Sequence, residues 1–215
     1  MGSARLLLWA EFLLFFFGLP LYIYLDPGVI HPSVFILPGL ALVFIYLYRN
    51  RAFKYSELLR WQVPSPLVWR YVAIVILAGV IMLAWVYWLE PDNLFNLPRQ
   101  NWRVWLVFSF FYPLLSATGQ EIIYRVFLFY RFRDIFRSKT AFILASGLAF
   151  SFVHLVYFSA VSLLLTLLMG LFLAALYWRH RSVLLTAAIH GALGNLAFSL
   201  GLGHYFWIDI EKFLS

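Results

Sequence analysis

The sequence predicts an all-α membrane protein, a polytopic bundle of about seven transmembrane helices. Of its 215 residues, 64% are hydrophobic and 21% are aromatic, and only 12% are charged, which is far from the composition of a soluble globular domain. Apolar runs of about 17 to 25 residues, the length that crosses a bilayer as a helix, follow one another along the chain. Lys and Arg stand in short clusters at the ends of these runs, as expected for a membrane protein of defined topology.

This distribution of charge also limits the classes of partner. A formal net charge of +7 would suggest nucleic-acid binding if the cations formed a patch or a stripe. Here they mark the ends of membrane spans, so we expect the lipid bilayer as a partner and no nucleic acid. The chain has no cysteine, which excludes disulfides, a thiolate nucleophile and a cysteine-based zinc site.

We predict a single membrane domain over residues 1–215, with three spans in 1–103, four spans in 104–203 and a short amphipathic tail in 204–215. The first apolar run is interpreted as an uncleaved span, because it is long and lacks a small-residue cleavage site. The predicted spans are 6–25, 32–48, 71–89, 104 to about 131, 141–158, 161–178 and 183–203.

The bias of Lys and Arg predicts the orientation, because cytoplasmic loops are enriched in these residues. With the N-terminus in the cytoplasm, twelve of the 16 fall on the cytoplasmic side, Arg125 lies within a span, and three fall outside: Arg99, Arg103 and Lys212. We therefore expect a multi-pass protein of a prokaryotic inner membrane, with its N-terminus in the cytoplasm and its C-terminus outside.

The segment from Ser116 to Arg133, SATGQEIIYRVFLFYRFR, places Gln120, Glu121 and Arg125 inside an apolar run. An ionisable residue at membrane depth is costly unless it is paired or hydrated, so it marks a candidate functional site. Glu121 and Arg125 are four residues apart and lie on one helical face, where they can pair. A buried structural salt bridge is an equally good interpretation of this segment taken alone.

Few other groups in the spans can carry acid–base chemistry. His154 and His190 lie on two later spans, and Glu11 on the first span is interpreted as an interfacial or packing residue. The remaining polar helpers are Gln120, Tyr124 and Asn195. Counted at 1.5 Å per residue from the nearest basic cluster, Glu121, His154 and His190 fall in one mid-membrane layer about 10 Å deep. This arrangement is compatible with a single polar cavity.

A carboxylate and two imidazoles, without an activated Ser or Cys, fit two kinds of chemistry. One is general-base activation of a water molecule, with other donors stabilising an oxyanion. The other is coordination of a divalent metal. Gly191 and Gly194 have no side chains, so the seventh span is narrow beside His190. This allows close helix packing or leaves room for a substrate backbone.

Three motifs in order resemble those of the CPBP family of intramembrane endopeptidases, which contains the CAAX prenyl proteases and bacteriocin-immunity proteins. The EExxxR motif of the family is similar to QEIIYR, with Glu121 and Arg125 at its second and last positions. The FxxxH motif is similar to FSFVH, from Phe150 to His154, and the third motif is similar to HGALGN, which begins at His190. The resemblance covers residues 119 to about 203, and the first three spans carry no matching motif.

The chain departs from the family pattern at two positions. Gln120 replaces the first glutamate, which is the usual water-activating base, and an amide cannot take up a proton as a carboxylate does. The residue four after His190 is Gly194 instead of asparagine, and Asn195 follows about 100° further round the helix. The longer strings QEIIYRVFLFYRF and LGLGHYF resemble a branch of the family that carries Gln naturally.

The resemblance implies a role for each matched residue. Glu121 is the motif carboxylate left to act as base, with His154 as a candidate relay, and Arg125 holds Glu121 in place or keeps it ionised. His190, with Asn195, faces a developing oxyanion, and Gln120, Tyr124 and Phe150 support the site. We favour metal-free chemistry, although a divalent metal is possible.

Together these roles imply an intramembrane endopeptidase that hydrolyses peptide bonds of membrane-bound or lipidated substrates near the cytoplasmic face. Because Gln120 replaces the usual base, a catalytically inactive membrane scaffold or immunity-type binding protein is the alternative. A third class, a small transporter with a proton relay, predicts internal repeat symmetry, which the sequence does not show.

Overall fold

The structure, a computed structural model, describes residues 2–25, 33–51, 53–61 and 63–207, and these residues form helices and connecting turns without any β-strand. Short 3₁₀ turns lie at Tyr55–Glu57, Pro91–Asn93 and Leu202–Phe206. The helices are α1 (Ser3–Leu25), α2 (Ser33–Arg49), α3 (Ser65–Leu89), α4 (Asn96–Gln100), α5 (Trp102–Phe132), α6 (Lys139–Tyr157), α7 (Ala160–His180) and α8 (Val183–Leu200).

Within the described part of the chain, six helices, α1, α3, α5, α6, α7 and α8, are long and apolar enough to cross a membrane. The prediction of an all-α polytopic bundle is therefore confirmed. The described helix of the second predicted span, α2, has 17 residues and contains Pro38; 17 helical residues extend about 25 Å, against a hydrocarbon core of about 30 Å. Most of the predicted tail, including Lys212, lies outside the described residues.

Two tight turns hold the last three helices side by side. Phe158 and Arg181 end α6 and α7 in the left-handed conformation, with φ of 53° and 49°. The next residue of each turn, Ser159 or Ser182, accepts a hydrogen bond at 3.2 Å from a backbone N–H in the first turn of the following helix, as an N-cap does. Turns this short make α6, α7 and α8 antiparallel neighbours.

A cluster of aromatic side chains fixes α1 against α5. Phe12 and Phe16 of α1 lie 5.4 Å and 5.9 Å from the ring of Phe132, measured between centroids. The helices α6 and α7 approach closely at their glycines, where a Cβ on Gly170 would lie 3.0 Å from the carbonyl oxygen of Gly147. Interlocked rings and small residues are how helices associate in lipid, where the hydrophobic effect does not drive them together.

Glu11 has a partner that the sequence did not indicate. Arg131 of α5 donates from Nε to Glu11 Oε1 at 2.8 Å, and its Nη2 donates to Oε2. Both side chains are about one third exposed, at 39% and 32%. This carboxylate therefore joins α1 to α5 at the bundle surface and takes no part in the buried polar cluster.

A second carboxylate organises the opposite end of the bundle. Glu90, just beyond α3, accepts hydrogen bonds from Trp85 Nε1 at 3.0 Å, from Asn93 Nδ2 at 3.1 Å and from the Tyr205 hydroxyl. His204 Nε2 lies 3.1 Å from its Oε2. Burial raises the pKa of Glu90, but these hydrogen bonds outweigh burial, so the pKa lies below its ordinary 4.5. The network ties the end of α3 to the turn after α8.

Helix α5 is irregular where it meets α8. It contains two π-helical segments, Tyr112–Ala117 and Ile122–Phe127, and Pro113, which has no N–H to donate, lies in the first. A Cβ on Gly191 of α8 would lie 2.6 Å from Cβ of Pro113. Of the two interpretations of Gly191, the structure supports close helix packing. Such π-segments occur often at functional sites.

Candidate active site

Glu121 and Arg125 form a fully buried ion pair on α5. Arg125 Nε lies 3.1 Å from Glu121 Oε2, and both side chains are 0% exposed. The relative orientation of these two groups does not satisfy hydrogen-bond geometry, so their attraction is mainly electrostatic. Arg125 Nη1 donates to Ser146 Oγ at 2.6 Å, and the guanidinium carbon lies 5.2 Å from the centroid of the Phe150 ring. These contacts hold the arginine in place, which in turn favours an ionised Glu121.

The other oxygen of Glu121 binds His190 of α8. His190 Nδ1 lies 2.9 Å from Glu121 Oε1. A carboxylate beside Arg125 accepts, so Nδ1 carries a proton and donates it, and in the neutral imidazole Nε2 then has the lone pair. The sequence made His154 the candidate relay for Glu121, and this is corrected: the imidazole that contacts the carboxylate belongs to His190.

His154 is oriented by the backbone of its own helix. Its Nδ1 donates to the carbonyl oxygen of Phe150 at 2.7 Å, so its Nε2 is also the atom with the lone pair. The Phe150 ring lies between the two imidazoles, 4.9 Å from the ring of His154 and 5.3 Å from that of His190. Phe150 also contacts Tyr124, with centroids 5.3 Å apart. Two histidines that each donate from Nδ1 therefore flank one aromatic ring.

Both imidazoles line a cavity of about 460 Å³, which Gln120 also lines. A smaller cavity of about 180 Å³, beside α1 and α2, shares Gln120 and His154 with it and is lined by Tyr124 as well. Glu121 lines neither cavity. Three helices therefore direct polar groups to one cavity. The Glu121 carboxylate does not line this cavity, but it binds His190, which does.

Gln120 and Asn195 have different surroundings. Gln120 Nε2 donates to Ser116 Oγ at 2.9 Å, and its Oε1 is buried without a partner. Asn195 Nδ2 donates to the carbonyl oxygen of Ser109 at 2.9 Å, and its side chain does not line the cavity. The expected position of Asn195 beside His190 is therefore corrected. One residue further along α8 is about 100° of rotation, which turns this side chain towards the backbone of α5.

Among the hydroxyl-bearing residues that line the cavity, Tyr112, Ser116, Tyr157 and Thr166 were not singled out from the sequence. Tyr112 and His190 lie with ring centroids 6.1 Å apart. Tyr157 lies beside His154, with centroids 5.7 Å apart. The only sequence signal near Tyr112 was the following Pro113, which predicts an irregular helix and says nothing about the direction of a side chain.

A metal ion in the cavity would have two candidate ligands, Nε2 of His154 and Nε2 of His190. Among residues 2–25, 33–51, 53–61 and 63–207, no group of three or more His, Asp or Glu side chains is placed to hold a metal. Metal-free chemistry stays a prediction.

Comparison with known families agrees with this geometry. Residues 101–196 match the family model described as type II CAAX prenyl endopeptidase Rce1-like. This match covers less than half of the chain and supports its similarity to the CPBP (CAAX protease) family. The match spans Glu121, Arg125, His154 and His190, and it supports a role as a CAAX intramembrane protease in general, acting on membrane-associated peptides in a lipid bilayer. No curated protein and no solved structure matches the chain.

Proposed function

We propose that this protein is an intramembrane endopeptidase that uses a histidine-activated water to hydrolyse peptide bonds. The observation that carries the proposal is the position of His190, whose imidazole binds the buried Glu121 on one side and lines the cavity on the other. A histidine held by a carboxylate through Nδ1 is oriented with Nε2 as a base, and the carboxylate stabilises the imidazolium that forms.

In the proposed reaction, a water molecule gives a proton to Nε2 of His190 as its oxygen attacks the carbonyl carbon of the substrate. The bond that forms is C–O, and the carbonyl oxygen becomes an oxyanion. When the C–N bond breaks, the imidazolium returns the proton to the leaving amine. His154 Nε2 accepts the second hydrogen of the water and orients it. Glu121 and Arg125 are positioning residues, because neither touches the cavity.

We further propose where and on what the enzyme acts. The cluster of Lys and Arg at one set of helix ends supports a cytoplasmic N-terminus and an external C-terminus in a prokaryotic inner membrane. The cavity walls are largely apolar, with residues such as Met169 and Phe172, which suits a membrane-bound or lipidated peptide. The reaction as written needs no metal.

The alternative, a catalytically inactive scaffold or immunity-type binding protein, has its own supporting observation. Gln120 lines the cavity where the family carries a carboxylate, and Glu121 does not reach the cavity. In this alternative the buried ion pair only stabilises the bundle.

The test is cleavage of a peptide library by the purified protein in liposomes, with and without a chelator. We expect His190→Ala, His154→Ala and Glu121→Gln each to lower kcat by about 10²–10⁴-fold. His180→Ala is the matched control, because this histidine binds Tyr71 at 2.7 Å and does not line the cavity. Activity that persists in both cavity-histidine variants would refute the catalytic assignment. A folded wild type that cleaves nothing would favour the scaffold, and activity lost with the chelator would refute the metal-free reaction.

A further inference from the structure

The two histidines that line the cavity offer no free donor in their neutral form. In the neutral imidazoles, Nε2 of both histidines is an acceptor, because each Nδ1 donates elsewhere. One of the two N–H groups of the Gln120 amide is directed to Ser116. If the proposed hydrolysis occurs, the oxyanion needs a donor that is free in the resting protein and close to His190, where the attacking water is held.

The hydroxyl of Tyr112 meets this requirement. Tyr112 lines the cavity. Among the described residues its hydroxyl has no hydrogen-bond partner, and its oxygen is not fully enclosed by protein. Its ring lies 6.1 Å from that of His190. A neutral hydroxyl donates without adding a second cation to a site that already contains the Glu121–Arg125 pair.

The glycine at position 194 is what admits this tyrosine. Gly194 is one turn after His190 on the same face of α8, about 6 Å along the helix axis. A Cβ on Gly194 would lie 2.6 Å from Cζ of Tyr112 and closer still to its hydroxyl oxygen. The tyrosine hydroxyl therefore occupies the space where the side chain of residue 194 would begin, so any larger residue there would displace it.

We propose that Tyr112 is a catalytic residue of this protein, and that its hydroxyl donates a hydrogen bond to the oxyanion formed during the hydrolysis proposed above. The π-helical segment that begins at Tyr112 and the missing side chain at Gly194 together place the hydroxyl beside His190. The inference rests on the proposed function, since an inactive scaffold would form no oxyanion.

Tyr157 and Ser116 are weaker candidates for this role. Tyr157 lies beside His154, with ring centroids 5.7 Å apart, whereas the tyrosine ring in contact with His190 is that of Tyr112. Ser116 already holds the amide of Gln120, and its side chain is exposed, so an oxyanion there would be stabilised less than in a dry site.

The first test is the kinetics of Tyr112→Phe with a peptide that the wild type cleaves. Removal of one oxyanion donor lowers kcat by about 10²–10³-fold, and KM should change little because the donor acts in the transition state. Tyr177→Phe is the matched control: it removes the hydroxyl of a buried tyrosine that does not line the cavity, and it should keep wild-type kinetics.

The second test exchanges the two positions. Gly194→Asn alone should inactivate the enzyme by clashing with Tyr112. The kcat of Tyr112→Ala/Gly194→Asn should be at least tenfold higher than that of Tyr112→Ala/Gly194→Ala. Only the asparagine supplies an N–H donor in the space that the tyrosine leaves. Size-exclusion profiles and melting temperatures confirm that each variant is folded.

The outcomes separate the two proposals. An active wild type with an equally active Tyr112→Phe overturns the role of Tyr112 and leaves the protease proposal intact. The role of Tyr112 is also overturned if Tyr112→Phe changes only KM. The same holds if Tyr112→Ala/Gly194→Asn has no higher kcat than Tyr112→Ala/Gly194→Ala. A wild type that cleaves no peptide overturns the protease proposal, and the role of Tyr112 with it.

Discussion

Arg125→Met should be among the most destabilising substitutions in this chain, because it leaves the buried Glu121 carboxylate without its counter-charge. The two charges are 3.1 Å apart and fully buried, and at an effective dielectric constant of about 20 their attraction is about 5 kcal/mol. Breaking a buried ion pair by removing one partner typically costs about 3–5 kcal/mol. The hydrogen bond from Arg125 to Ser146, at 2.6 Å, is lost as well.

Three further variants isolate the cause. Glu121→Gln should cost a similar amount, because it leaves the arginine charge buried, whereas Glu121→Gln/Arg125→Met should recover most of the stability, because no unpaired charge remains. Arg131→Met is the matched control on the same helix. Its partner Glu11 is partly exposed, and a pair of this kind contributes about 0–1 kcal/mol.

The assay is unfolding by SDS in mixed micelles, followed by tryptophan fluorescence, to which the chain contributes nine tryptophans. The free energy of unfolding is compared among the wild type and the four variants. A wild-type transition for Arg125→Met, or a double variant no more stable than either single variant, would show that the ion pair does not stabilise the bundle as argued.

Two other predictions concern positions away from the ion pair. Gly191→Ala should destabilise the bundle by about 1–3 kcal/mol, because its Cβ would lie 2.6 Å from Pro113. Gly39→Ala should not destabilise the bundle, because nothing lies within 4 Å of the new Cβ. Equal melting temperatures for Gly191→Ala and Gly39→Ala would contradict this packing argument. Glu90 has a pKa below its ordinary 4.5. Its contribution to the free energy of unfolding is therefore present above pH 4.5 and is lost as the pH falls through the lowered pKa. Melting curves of the wild type and Glu90→Gln should therefore differ at pH 7 and converge below pH 4.5, and a difference that grows with acidity would refute the sign.

Local rules predict much of the bundle from the sequence. Six of the predicted spans coincide within a few residues with helices long enough to cross a membrane, because an apolar run of membrane length has no alternative to a helix in lipid. The second is the exception: its apolar run ends after 17 helical residues. The polar members of the site could also be recognised from the sequence, because they interrupt runs that are otherwise apolar: Glu121, Arg125, His154 and His190.

The sequence by itself determined the fold class, the family motifs and the residues able to carry the chemistry. Only the tertiary structure decided which imidazole binds Glu121, the direction of Asn195 and the place of Tyr112 beside Gly194. The physical reason is that spacing along a helix sets the angle between side chains on that helix, but not the rotation of one helix against another. That rotation depends on where backbones can approach, here at Gly191 against Pro113.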